Sequence, residues 1–188
     1  MHKKPHHIIF EGTELTGKSF LIYNVWNTIE KENSSELPFL DGCTWFNADV
    51  GLFGTNDGWP LINGYIEIMK TLSHRNMIFE KFHLTQHIYS QESDMSTFEK
   101  NDVLLAELGF KLIITTVQPD PTLFEKRLYE RSLSNNTYER IKKPPKDYVE
   151  DLEKYKHLAE KSQLPILTVD MTKIPNDKYL EVLEWIRK

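Results

Sequence analysis

Residues 12–19, Gly-Thr-Glu-Leu-Thr-Gly-Lys-Ser, set two glycines five apart and follow the second at once with a lysine and a serine. Glycines in that spacing let the backbone curl so that successive N–H groups face inward onto phosphate oxygens, and a helix after the loop adds its positive end. In such a loop Lys18 reaches the β- and γ-phosphates and the Ser19 hydroxyl sits on Mg²⁺. The expected cofactors are therefore ATP and Mg²⁺, with Gly12, Thr13, Glu14, Leu15, Thr16, Gly17, Lys18, Ser19 and Phe20 around the phosphates. A second constellation, Met77 to Tyr89, ends an apolar run on Glu80, where a carboxylate can hold Mg²⁺ through water. Lys81, Phe82, Thr85 and Tyr89 follow it. A third is basic: Arg127, Arg131, Arg140, Lys142 and Lys143 supply cations that the phosphate loop, with Lys18 alone, lacks.

These residues need a scaffold that brings distant segments together. Apolar runs at 7–11, 76–80, 111–117 and 164–170 read as buried strands, and a further strand is expected near 39–46. Helical periodicity marks the segments after Gly17, at 61–73, from 82, at 96–109, at 120–132, at 147–162 and at 176–188. Ser96 with Glu99 three on reads as a capping box, Gly109 as a helix stop, and Asp120-Pro121 as an N-cap with proline at the first position. In the closing helix Tyr179, Leu180, Leu183 and Ile186 form the expected core stripe. Residues 133–146 mix turn formers with basic side chains and read as an exposed, movable loop. Strands alternating with helices predict one α/β domain over 1–188, three layers around a parallel sheet.

Composition narrows the partners. The chain has 188 residues, 39% of them hydrophobic, and a formal net charge of −5, which argues against grip on a nucleic acid polymer. One cysteine, Cys43, permits no internal disulfide and points to a reducing, cytoplasmic setting. No apolar run approaches a membrane span, and the basic leader Met1 to His7 lacks the apolar segment of a secretory signal. His83 and His87 stand at i, i+4 without a third ligand and read as a packed helix face.

Taken together, the motifs resemble those of thymidylate kinases and the nucleoside and nucleoside-monophosphate kinases around them. That group carries Asp-Arg-Tyr where this chain has Glu80-Lys81-Phe82, with a Ser and a Tyr five and nine residues beyond the Asp, here Thr85 and Tyr89. Glu14 matches an acidic third loop residue that faces the acceptor sugar, and 127–140 resembles an arginine-bearing lid. The resemblance implies a five-stranded parallel sheet in the order 2-3-1-4-5. It also implies catalytic roles for Lys18, Arg127, Arg131 and Arg140, and acceptor contacts from Glu14, Lys81, Phe82, Thr85 and Tyr89. Ser19 and Glu80 would hold the metal, Asp170 would lie near the adenine pocket, and a homodimer would form through helices beside the second and third strands.

The acceptor implied is a small nucleotide, a deoxynucleoside monophosphate such as dTMP. Lysine cannot grip a phosphate bidentately as arginine does, so Lys81 leaves the acceptor class open. A deoxynucleoside or other small-molecule kinase is the alternative, needing a carboxylate base from Glu14, Asp41, Asp49 or Glu80. A regulatory module that binds NTP without transfer is another. Between the second strand and the second helix no acceptor signature of the group is found; Asn47, Asp49, Trp45 and Trp59 are available there for stacking and hydrogen bonds to a base, though both tryptophans serve packing equally well.

Overall fold

A computed structural model of the chain describes residues 4–36, 40–90, 94–134, 138–173 and 177–188. Its sheet has five strands: β1 (His7–Glu11), β2 (Thr44–Asn47), β3 (Met77–Glu80), β4 (Lys111–Thr116) and β5 (Ile166–Asp170). All pairings are parallel and the order is β2-β3-β1-β4-β5, as expected. The central strand, β1, is buried at every residue, which its near-continuous apolar run requires of a sheet covered on both faces.

The helices are α1 (Lys18–Asn33), α2 (Gly58–Thr71), α3 (His83–Tyr89), α4 (Met95–Glu107), α5 (Pro121–Ser134), α6 (Pro145–Ala159) and α7 (Lys178–Ile186). Side chains alternate across β1. Ile8 and Phe10 pack with Leu21, Val25, Phe124 and Leu183 on one face. Ile9 packs with Ile62, Leu84, Phe98 and Leu105 on the other. Helix α6 serves both layers, sending Tyr148 and Leu152 to the first and Tyr155 and Leu158 to the second. Parallel strands put the C-terminal ends of β1 and β3 side by side, and the chemistry-bearing residues sit on the turns that leave those ends.

Several expectations are corrected. β2 begins at Thr44 instead of near residue 39, because Gly42 is wedged against the end of α1, where a Cβ would lie 2.4 Å from the Glu30 carbonyl oxygen. Leu180 is exposed, and Val182 takes its place beside Leu183 and Ile186. Over 133–146 the chain forms the last turn of α5, a short 3-10 helix at Tyr138–Ile141 and the start of α6, while 135–137 fall outside the described residues. Helix α4 is capped by Asp94, whose carboxylate accepts from the Ser96 amide at 3.0 Å, in place of the Ser96–Glu99 box. Asp94→Ala is accordingly expected to cost about 1 kcal/mol in urea unfolding, and Glu99→Ala less than about half of that.

Candidate active site

The phosphate loop leaves β1 at Gly12. Its φ is 133°, and a Cβ there would lie 2.4 Å from the Thr115 carbonyl oxygen, which excludes any side chain. Thr16 fixes the loop from within: its hydroxyl donates to the Thr13 carbonyl at 2.9 Å and meets the Thr115 hydroxyl at 2.8 Å. Gly17, at φ 85°, turns the chain into α1, and Lys18, the first residue of that helix, is buried. The loop's outer side is braced by Arg127, which donates to the carbonyls of Leu15 at 2.8 Å, Met171 at 2.7 Å and Thr172 at 3.1 Å. The structure thus gives Arg127, assigned from sequence to the lid, the work of tying the loop to the end of β5. Arg131 and Arg140 are exposed, on α5 and the 3-10 helix. Phe20 points outward, 43% exposed, and Asp170 turns back to bond Thr172.

Opposite the loop stands the end of β3. The Ser19 hydroxyl donates to the Glu80 carboxylate at 2.7 Å. This pair offers hard oxygen ligands, and Mg²⁺ is commonly bound by one or two such side chains with phosphate and water oxygens completing its shell. The donor set fits that ion. No cluster of three or more His, Cys, Asp or Glu side chains suited to a metal occurs among the described residues.

Next to Glu80, Lys81 adopts φ 60°, a left-handed conformation that costs a non-glycine residue about 1–3 kcal/mol. The turn brings its ammonium 2.7 Å from Glu14 and 3.0 Å from Asp49. Burial works against ionisation of Glu14, but Lys18 and Lys81 outweigh it and hold the carboxyl down to about 2. Burial likewise opposes the charge on Lys81, and its two carboxylates raise the pKa above the usual lysine range. Of the four carboxylates proposed as bases, Glu14, Asp49 and Glu80 therefore converge; Asp41 instead binds Ser34 and Ser35 near the end of α1.

The left-handed turn is held by a residue that none of the sequence motifs includes. Glu11, fully buried, accepts from the amides of Phe82 at 2.8 Å, Leu84 at 3.0 Å and Thr85 at 3.2 Å, and from the Thr85 hydroxyl. Burial pushes its carboxyl above the ordinary range, against the pull of nearby His83 and the Thr85 hydroxyl. The signal available in the chain was an acid closing a strand that is otherwise almost wholly apolar. Phe82 itself is buried among Phe53, Tyr65 and Phe79, so its ring offers no face for stacking a base. Thr85 is buried and bonded to Glu11 and Tyr155, whereas Tyr89 is 38% exposed with its hydroxyl donated to Asp151 at 2.7 Å. Trp45 packs on Trp26, and Trp59 against the α2 core. His83 is buried on Asp102 at 3.0 Å and stacked on Phe98, away from any metal role.

No protein-family model matches the chain, and no curated protein sequence matches it. Solved structures do. The YorR protein of Bacillus subtilis, in complex with phosphorylated GDP, aligns over 95% of this chain and 94% of its own, with 17% identity and a TM-score of 0.59. Thymidylate kinase from Ehrlichia chaffeensis aligns over 98% and 99%, with 13% identity and a TM-score of 0.54. Deoxyadenosine kinase from M. mycoides with bound dATP aligns over 97% and 100%, with 14% identity and a TM-score of 0.52. The chain has the fold of P-loop kinases, and no helix among its described residues is long and apolar enough to cross a membrane.

Two measurements test this site. Glu11→Ala strands three buried amides and is expected to lower unfolding free energy by about 3 kcal/mol or more in urea titration. Glu14 has a folded pKa below its ordinary 4.5, so the stability it brings is full above pH 4.5 and lost as pH falls toward 2. Across that window the thermal midpoint of the wild type should fall more steeply than that of Glu14→Gln.

Proposed function

We propose that the chain is an ATP- and Mg²⁺-dependent phosphotransferase with a small nucleotide or nucleoside acceptor. The observation that carries this reading is the meeting of two halves at one place: a phosphate loop with Lys18 and Ser19, and the Glu80-Lys81 turn facing it across a 2.7 Å hydrogen bond. Loop amides and Lys18 would hold the nucleotide's phosphates, and Ser19 with Glu80 would hold the metal. When bound, that ion neutralises charge on the phosphates. The remaining work is alignment: α1, α3 and the 49–58 segment set the acceptor against the γ-phosphate. Arg131 and Arg140 would add positive charge from the lid side. The single buried cysteine accords with a cytoplasmic home.

For the acceptor, resemblance to thymidylate kinases supports a deoxynucleoside monophosphate such as dTMP. Lys81 would then release Glu14 or Asp49 and take the acceptor's phosphate. A second reading has a specific observation in its favour. Lys81 is already matched by two carboxylates, Glu14 at 2.7 Å and Asp49 at 3.0 Å. A phosphate entering there must displace one of them, whereas a sugar hydroxyl need not and calls for a carboxylate to take its proton. Glu14, held down to about 2, is a poor base, which leaves Asp49 for that role.

A panel of nucleosides and monophosphates with radiolabelled ATP and Mg²⁺ tests both. Transfer is expected to at least one acceptor, and Lys18→Ala should lower it by about a hundredfold or more. Labelling of monophosphates supports the first reading, and labelling of nucleosides alone supports the second. ATP binding with no transfer would reduce the protein to a binding module, and no binding at all would overturn the proposal.

A further inference from the structure

Where β1 begins, at the end of the sheet away from the phosphate loop, the C-terminal ends of α1 and α7 flank a cavity of about 590 Å³. The five residues of β1 separate the two places by about 16 Å, at about 3.3 Å per strand residue. Basic side chains reach the cavity from three parts of the chain: Lys4 ahead of β1, Lys111 at the start of β4, and Arg187 with Lys188 after α7. His6 lines it too, and Glu32 is the single acidic residue in the lining. Lys111 is held in place, its ammonium donating to the carbonyls of Ile186 at 3.0 Å and Trp185 at 3.4 Å and lying 5.1 Å from the Trp185 ring centroid. Arg187 is held by Glu32 at 2.6 Å, and Lys188, exposed, by Glu184 at 3.1 Å.

Cations beside helix C-termini can serve the helices alone, because the carbonyl end of a helix is negative. The contact of Lys111 with the end of α7 is of that kind. Three observations go beyond it. Lys4 and His6 precede β1 and belong to no helix, yet they line the same cavity. In a chain whose 28 acids outnumber its 23 lysines and arginines, this lining reverses the balance, with four such cations to one acid. The basic groups also work against one another. Burial first, then the charges of Arg187 and Lys111, hold the His6 imidazole below its ordinary range, with Glu32 the one group pulling the other way. Burial and then Lys4 lower Lys111 in the same manner. Charges gathered in a partly dry place call for a counter-charge, and Glu32 alone supplies it from the lining. Donors remain for a ligand: an ammonium has three and a guanidinium five, so Lys111 keeps one and Arg187 keeps several.

We propose that this cavity is a second anion site, taking a small phosphorylated molecule whose phosphate is held by Lys4, Lys111 and Arg187. Phosphate matches the donors: the planar fork of arginine grips two of its oxygens at once, and the lysines add point charges. The volume is that of a site for a whole small ligand, about 300–1,000 Å³, so an organic phosphate fits as well as a bare one. The site shares no residue with the phosphate loop and stands apart from the phosphotransferase reading.

The test is titration of the isotope-labelled full chain with pyrophosphate, read by amide chemical shifts. The amides of Gly109, Lys111 and Arg187 should shift saturably, with half-saturation at about 1 mM or below, as a set distinct from those of Gly12 to Ser19. Lys111→Gln and Arg187→Gln should each weaken binding at the first set by about tenfold or more and leave the second within about twofold. Lys111→Gln also removes a cap from α7, so Lys4→Gln supplies a variant at an exposed position, expected to weaken the first set by about threefold with the thermal midpoint unchanged. Lys178→Gln, an equal change of charge at the other end of α7, should leave both sets within about 1.5-fold. AMP and inorganic phosphate separate the two sources of the anion: tighter binding of AMP at the first set identifies an organic phosphate, and equal binding the bare ion. Shifts confined to Gly12–Ser19, shifts that do not saturate, or losses in Lys178→Gln equal to those of the three cavity variants would overturn this inference and leave the phosphotransferase standing.

Discussion

The site depends on one buried carboxylate. Glu11 closes β1 and accepts three amides and a hydroxyl from the start of α3, a segment about seventy residues away in the chain. β1 and β3 are neighbours in any sheet of this order, but pairing alone does not say how the chain leaves β3. Glu11 says it: the backbone bends at Lys81 so that its next amides point at the carboxylate. The strain of that bend, about 1–3 kcal/mol, is offset by charge-assisted hydrogen bonds in a place water does not reach. As a result Glu80 is aimed at Ser19 and Lys81 at Glu14. The acid beside the phosphate loop binds no phosphate; it sets where the opposite wall stands.

A second layer continues from the same carboxylate. Glu11 holds Thr85, Thr85 meets Tyr155, and one turn along Tyr89 meets Asp151. Two side chains that resemblance assigns to the acceptor are thereby engaged in docking α3 to α6. Phe82, which lacks the hydroxyl of the tyrosine it replaces in the resembling motif, is free to sink into the aromatic cluster of Phe53, Tyr65 and Phe79. What meets between the phosphate loop and the β3–α3 turn is the charged set of Glu14, Lys81 and Asp49, so under the proposed function charge balance bears on the acceptor.

Much of this was legible in the chain, and the limit has a physical cause. Strand and helix identities rest on local periodicity, so the five strands and the phosphate loop were readable, while the sheet order came from the resemblance and the Ser19–Glu80 contact only from the fold. Partnerships between segments far apart were not. Arg127 carries a charge that suits a lid, and only the fold shows three main-chain carbonyls around it. Asp49 looked like one loop acid among several until Lys81 turned to meet it. The start of β2 and the exposure of Leu180 were missed for a similar reason. Hydropathy tells which residues prefer burial, but the neighbouring elements decide which places exist.

The clustering of lysines raises an electrostatic question that the surrounding acids answer. Lys18 and Lys81 both favour the Glu14 carboxylate, and ammonium groups brought together without counter-charge would repel one another and spread. Glu14 pairs with Lys81, and Asp49 holds the far side of the same ammonium. The charged side chains of the site are therefore fixed by one another. A polyphosphate entering under the proposed function meets positive groups already in place and has only to exchange carboxylate for phosphate oxygen, with little movement of the protein at the moment of reaction. Under the proposed function, such local positive groups would let a chain of net charge −5 hold a multiply charged anion. The sum over the whole surface matters for long-range approach, whereas binding is governed by the sign and rigidity of the few charges within reach.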